Sequence, residues 1–329
     1  MKAKFSHPSR KKLLGISLGL GFSLFALLLS PSSQDLNLRP VDKEVKVAMP
    51  PIPFPVNIGE EKPPELSARS IVVVDAHTGR IIYAKNEGLK LFPASTTKIM
   101  TAVIALENYS PEEIFTVGKI KKNGQAIGLL PGEKITVKNL LYGLLVASGN
   151  DAAQVLADNF PGQDGNFVAA MNRKAQELGL TNTHFENPAG LDHSEHYSTA
   201  LSLAKLSLYA LKNPLFAEIV ATPKITIFDI RGKISHKLTN LNELVGKESG
   251  VLGVKTGWTQ EAGECLVTYF REAKSSSAYS REAGSSSAYF REDQKEIITV
   301  LLGSDDRFGE TKKLLGWVLK NFSWPEPTP

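Results

Sequence analysis

From residue 96 to 106 the chain is apolar on nearly every side of a helix. Ile99, Met100, Ala102, Val103, Ile104, Ala105 and Leu106 leave no polar stripe. A helix of that kind is a buried one, so the rest of the domain has to enclose it. Upstream, Ser70 to Asp75 reads as a strand. A turn at His77-Thr78-Gly79-Arg80 and a second strand at 81–84 complete a hairpin. Downstream, the periodicity predicts helices over 137–147, 152–158, 166–178 and 199–211. Strands are expected over 224–229, 251–256, 265–269 and 297–302, and an amphipathic helix over 310–321. Strands, a block of helices, strands again and a closing helix predict an α+β fold. One antiparallel sheet is flanked by helices, with a helical subdomain beside it.

The first 66 residues belong to none of this. Lys2, Lys4, Arg10, Lys11 and Lys12 precede the first carboxylate, Asp35, and lead into an uncharged apolar run over 13–29. A basic start before such a run predicts an exported chain, with residues 1–30 as a signal peptide or an N-terminal membrane anchor. Seventeen residues is long for the first and short for the second. No Ala-x-Ala site follows, which favours a retained anchor, and no nearby cysteine offers a lipid attachment. Residues 31–64 hold eight of the nineteen prolines, so 31–66 reads as a semi-extended linker. The five early cations also account for the net charge of +4, since the remaining chain carries +4 less +5, a net −1. Nothing there suits nucleic acid. Cys265 is the sole cysteine; it excludes an intrachain disulfide and reads as an inert core residue. Residues 67–322 form the expected folded domain, with 323–329 as a tail. Within it Tyr269 to Ala278 recurs as Tyr279 to Ala288, and a third copy begins at Tyr289. This repeat reads as an extension of a surface hairpin over 269–293.

Three short strings carry the chemistry: Ser95-Thr96-Thr97-Lys98, Ser148-Gly149-Asn150 and Lys255-Thr256-Gly257. None is informative alone, and Ser-x-x-Lys occurs twice more, at Ser9/Lys12 and Ser202/Lys205. Three apart on a helix, Ser95 and Lys98 share a face. Serine becomes a nucleophile when a neighbour takes its proton. Lysine does so when burial or another cation, here Lys255, lowers its pKa. Ser148 and Asn150 flank a glycine to make a polar corner. Lys255 and Thr256 end a strand where an anionic group would bind. Gly257 removes bulk so that a substrate backbone can approach the strand edge.

With Pro93 to Ala102, Asn187-Pro188-Ala189-Gly190-Leu191-Asp192, Tyr197-Ser198-Thr199-Ala200 and Gly253 to Gly257 added, the chain resembles the D-alanyl-D-alanine carboxypeptidases over roughly 67–321. These are low-molecular-mass penicillin-binding proteins related to the serine β-lactamases. The resemblance implies that fold and a set of roles. Ser95 would be acylated by the penultimate D-alanine of a peptidoglycan stem peptide, with Lys98 as base. The N–H groups of Ser95 and Trp258 would form the oxyanion hole. Ser148 would relay a proton to the departing D-alanine, Asn150 would hold the substrate amide, and Lys255 with Thr256 would grip the terminal carboxylate. β-Lactam antibiotics would be captured covalently, with no metal or other cofactor. Where many relatives carry an acid this chain has Ser202. Past residue 322 only the seven residues 323–329 remain, so the C-terminal β-domain and anchor of many relatives are expected to be absent, leaving the N-terminus as the membrane attachment. The expected location is the outer face of the cytoplasmic membrane, the periplasm or the wall.

Other readings are weaker. The Glu-x-x-Leu-Asn element of the common β-lactamases has no counterpart between Asn150 and Lys255. A DD-endopeptidase that cuts peptide cross-bridges would use the same residues and stays open. A non-catalytic wall-binding module has no need of an intact nucleophile and base. His184, His193 and His196 read as solvated loop histidines, not as a metal site.

Overall fold

The structure, a computed structural model, describes residues 54–121, 123–161, 167–272 and 295–324. Strand β1 (Val56–Asn57) precedes the hairpin β2 (Ser70–Asp75) and β3 (Ile81–Lys85). Helix α1 (Lys98–Asn108) follows, then the short pair β4 (Ile114–Thr116) and β5 (Lys134–Thr136). A helical block comprises α2 (Val137–Leu145), α3 (Asn150–Asp158), α4 (Phe167–Glu177), α5 (Ala200–Ala210) and α6 (Pro214–Val220). The hairpin β6 (Lys224–Phe228) and β7 (Ser235–Thr239) comes next. The chain closes with β8 (Val251–Thr259), β9 (Gly263–Arg271), β10 (Glu296–Ser304), α7 (Arg307–Asn321) and β11 (Phe322–Ser323).

The main sheet has the order β3-β2-β10-β9-β8, antiparallel throughout. Both faces are covered. Val72, Val74, Ile298, Val300 and Leu302 face a core shared with α1 to α6. Ile71, Val73, Ile297 and Leu301 face a second core closed by Leu314, Leu315 and Val318 of α7. That is why β2 reads as an unbroken apolar run and not as an alternation. The largely apolar helix occupies the expected place: Lys98 through Ala105 are buried without a break. Local chemistry sets the ends of its neighbours. Thr136 and Thr199 cap α2 and α5 by accepting from Asn139 and Ser202 amides. Asn213 caps α6 ahead of Pro214, and Asp306 caps α7.

The expected α+β architecture is the one found, with one main antiparallel sheet and three separate two-stranded pairs among the described residues. Sequence reading missed the short pieces: β4 with β5, helix α6, and β7, the partner of β6. Residues 54–66, assigned to the linker, pack on the domain. β1 pairs with β11, the Ile58 and Gly59 amides donate to Asn321 O, and the Trp317 indole donates to Glu61 O at 2.9 Å. Their proline content suggested a tether. What holds them is one short strand pairing and the last turns of α7. Residues 1–53, which include the expected signal or anchor, lie outside the described residues. So does most of the decapeptide repeat, 273–294, although the strands that flank it pair antiparallel, with Arg271 opposite Glu296. No described helix is long and apolar enough to cross a membrane.

Candidate active site

The three strings come from three elements that meet at one end of the sheet. Ser95 lies in a 3-10 turn, Ala94–Thr97, that leads directly into α1. Ser148 precedes α3, Asn150 is its first residue, and Lys255, Thr256 and Gly257 lie on the edge strand β8. Two of the junctions are bent into the left-handed region, at Ala94 (φ 47°) and Ser148 (φ 60°). For a residue with a Cβ that conformation costs roughly 1–2 kcal/mol, a strain found where geometry serves a site. Two glycines let the backbones close in. A Cβ on Gly257 would stand 3.0 Å from Pro93 O and 3.1 Å from Ser95 N. A Cβ on Gly190 would stand 1.9 Å from Ala94 O. Gly257 therefore yields room to the serine turn. Sequence reading had assigned that missing bulk to an approaching substrate.

Lys98 is fully enclosed. Its Nζ reaches Ser95 Oγ at 2.9 Å, Asn150 Oδ1 at 2.7 Å and Ala189 O at 2.6 Å. Burial holds its pKa well below the ordinary lysine value. The Lys255 charge adds to that, and Asp151 opposes it. Lys255 is also buried. It donates to Ser148 Oγ at 3.0 Å and to Thr256 O at 3.0 Å, and burial with the Arg307 charge lowers its pKa to about 7. Two buried amines, each on a serine hydroxyl, thus both have lowered pKa values. Such an arrangement can move a proton on and off a nucleophile.

Asn150 was expected to hold the substrate amide. In the structure its side chain is turned inward, with the oxygen accepting from Lys98 and Nδ2 donating to Asn123 O at 2.8 Å. Thr256 and Gly257 line the mouth, and Trp258 exposes 63% of its surface there. Ser95, Ser148, Asn150, Thr256 and Trp258 share a cavity of about 540 Å³ with Gln125, Leu191, Leu241 and Arg307. Arg307 was missed. Its guanidinium donates to Gly257 O at 2.9 Å, and its buried Nε has no hydrogen-bond partner among the described residues. The sequence signal was slight, an arginine opening the last helix after Asp305-Asp306. Only the return of β10 beside β9 brings it to the strand carrying Lys255.

His196 was misread as a solvated loop residue. It is buried, its Nε2 lies 2.8 Å from Thr97 Oγ1, and its Nδ1 accepts from the Glu186 amide at 3.2 Å. Burial, with the His184 and His193 charges, lowers its pKa to about 4, so it is neutral at physiological pH. It ties the serine turn to the segment 186–191. There Asn187 Oδ1 accepts the amides of Ala189, Gly190 and Leu191, presenting Ala189 O to Lys98.

Residues 57–279 match the family described as D-alanyl-D-alanine carboxypeptidase. The D-alanyl-D-alanine carboxypeptidase DacF of Bacillus subtilis is 39% identical over 206 residues, 60% of this chain and 53% of that protein. A D-alanyl-D-alanine endopeptidase of Pseudomonas aeruginosa is 34% identical over 209 residues, 62% of this chain and 67% of that one. Among solved structures, the Streptomyces K15 DD-transpeptidase superposes with a TM-score of 0.68 at 29% identity, covering 79% of this chain and all of the other. The chain thus spans about half the length of the Bacillus relative.

Proposed function

Since the chain belongs to the D-alanyl-D-alanine carboxypeptidase family, we propose that it removes the terminal D-alanine from peptidoglycan stem pentapeptides through an acyl-enzyme on Ser95. One observation carries this reading: the hydrogen-bond set of Lys98. A neutral amine has two hydrogens and one lone pair. Asn150 Oδ1 and Ala189 O accept the two hydrogens, which leaves the lone pair for the Ser95 hydroxyl 2.9 Å away. Lys98 can then take the Ser95 proton as Oγ attacks the penultimate carbonyl. The N–H groups of Ser95 and Trp258 are the proposed oxyanion hole.

Ser148, which accepts from Lys255 Nζ, is the proposed group that passes a proton to the departing D-alanine. The free carboxylate of the substrate meets Thr256 and Arg307, which line the cavity, and the buried Lys255 amine adds its charge from the far side of Ser148. Water then hydrolyses the ester and restores Ser95. The same acyl-enzyme chemistry makes penicillin a covalent inhibitor. Export is inferred from the basic and apolar start of the chain. The proposed location is the outer face of the cytoplasmic membrane, the periplasm or the wall, with membrane attachment through residues 1–30 where these are retained.

The 34% identity to the Pseudomonas endopeptidase keeps cross-bridge cleavage as the second reading, since it needs the same nucleophile and base. Incubation with stem pentapeptide and with cross-linked muropeptides separates the two. Released D-alanine from the pentapeptide supports the carboxypeptidase. Cleaved cross-bridges with no D-alanine would replace it with the endopeptidase.

A further inference from the structure

Next to Asn150 stands a buried carboxylate to which none of the steps above assigns a role. Asp151 is 1% exposed and accepts four backbone amides. Oδ1 takes Ala152 N at 2.9 Å and Ile127 N at 3.1 Å. Oδ2 takes Gly128 N at 2.9 Å, with Ile127 N and Leu129 N at 3.1 Å. An acid in the first turn of a helix ordinarily serves that helix's own free amides. Here three of the four donors belong to a loop more than twenty residues earlier in the chain. That loop returns to α3 twice more. Gln125 O accepts from Asn150 N at 2.7 Å, and Asn123 O accepts from Asn150 Nδ2 at 2.8 Å. Gly124 and Gln125 of the same loop line the cavity.

The second contact decides which way the Asn150 amide faces. Asn123 O requires an N–H donor, so Nδ2 points to the loop and Oδ1 points to Lys98. Were the loop displaced, nothing would hold the amide in that sense. Lys98 would then lose one of the two acceptors that direct its lone pair at Ser95. The carboxylate also faces Lys98 electrostatically and opposes the repulsion from Lys255. When Lys98 takes the serine proton, a nearby buried anion favours the ammonium that forms.

We infer that Asp151 is a positioning residue for the acylation step. Its carboxylate fixes the loop from Asn123 to Leu129 against α3, and through that loop it sets the orientation of Asn150 and supplies negative charge opposite Lys98. This rests on the acyl-enzyme reading for its kinetic consequence but not for the loop geometry. Asparagine has nearly the same shape, yet it offers one acceptor oxygen and turns an NH2 towards amides that need acceptors. The charged groups bearing on the pair are Lys98, Lys255 of β8 and, behind Lys255, Arg307 of α7.

The test uses the full chain and its Asp151→Asn and Asp151→Glu variants, with fluorescent penicillin as the acylating probe. Three readouts apply: acylation rate across pH, amide hydrogen exchange at residues 127–129, and the thermal midpoint. Asp151→Asn is expected to acylate about 10- to 100-fold more slowly at the optimum and to exchange those amides faster. Its acid limb should move to lower pH, because Lys98 gives up its proton more readily once the anion is gone. Asp151→Glu keeps the charge but shifts the cradle, so it should be slower with its acid limb in place. A role confined to stability would lower the thermal midpoint of both variants and leave the acid limb of both where the parent has it. That result, or parental rates with parental exchange in Asp151→Asn, overturns the inference. Should Asp151→Asn not fold, Asp151→Glu decides: a parental acylation rate in it counts against the inference. Absence of labelling in the parent chain itself counts against the acyl-enzyme reading, and the exchange readout still decides whether Asp151 holds the loop.

Discussion

Lys255 shows at the scale of one residue what the site costs the fold. Its pKa falls from the ordinary 10.5 to about 7 because it is buried and near Arg307. The unfolded chain therefore holds a proton that the folded chain releases over the window from about 7 to about 10. More protons bound when unfolded means that stability rises with pH across that window. Urea melts between pH 7.5 and 9 should show the unfolding free energy of the parent climbing more steeply than that of Lys255→Met, by up to about 1.4 kcal/mol per pH unit. Identical slopes would mean that Lys255 keeps its ordinary basicity in the fold. Lys98 is perturbed in the same direction. The protein thus carries two amines that oppose folding at neutral pH, a strain that function explains and packing does not.

Among the elements, α7 joins the two ends of the domain. On its first turn Glu310 accepts the amides of Ser67 and Ala68 and, at 2.6 Å, the hydroxyl of Ser304. On its last turn Asn321 O receives the Ile58 and Gly59 amides, and Lys320 pairs with Glu61. Glu310 titrates below the ordinary glutamate value. Burial alone would raise it, and the hydrogen bonds from Ser304, Ser67 and Ala68 outweigh that. A carboxylate lowered in this way stabilises the fold above its unfolded pKa, and the contribution is lost as pH falls through the folded one. Glu310→Gln should therefore lose about 1–3 kcal/mol at pH 7, where amides are left facing an NH2. The gap to the parent should narrow near pH 3. A gap equally wide at both values would mean that Glu310 acts through packing and not through its charge.

Over the whole molecule, what was legible in the sequence was whatever declares itself within a few residues. The stretch from Ile99 to Ala105, apolar but for Thr101, announced a buried helix, and the order of strands and helices announced a sheet flanked by helices. The order of Ser95, Lys98, Ser148, Asn150, Lys255 and Thr256 announced one site, because acyl transfer needs those groups together. Illegible residues act across long separations. Arg307 reaches Gly257 from 50 residues away, Asp151 holds a loop 22 to 24 residues earlier, and His196 bonds Thr97 from 99 residues away. Each is an ordinary polar residue in its own neighbourhood and gains its role only when the sheet and helices close. The segment 54–66 failed to read correctly for the same reason, since its proline-rich composition describes a tether while its partners lie on α7 and β11.

The claim on which the rest depends is that Ser95, with Lys98 beside it, forms the acyl-enzyme. Intact-mass measurement of the folded chain after brief exposure to penicillin, followed by peptide mapping, tests it most directly. The account predicts one adduct with the mass of the whole antibiotic, located on the peptide that contains Ser95. It also predicts no adduct in Ser95→Ala, and acylation slowed by orders of magnitude in Lys98→Met. An adduct on any other residue, or none on a chain whose fold is verified, would contradict it.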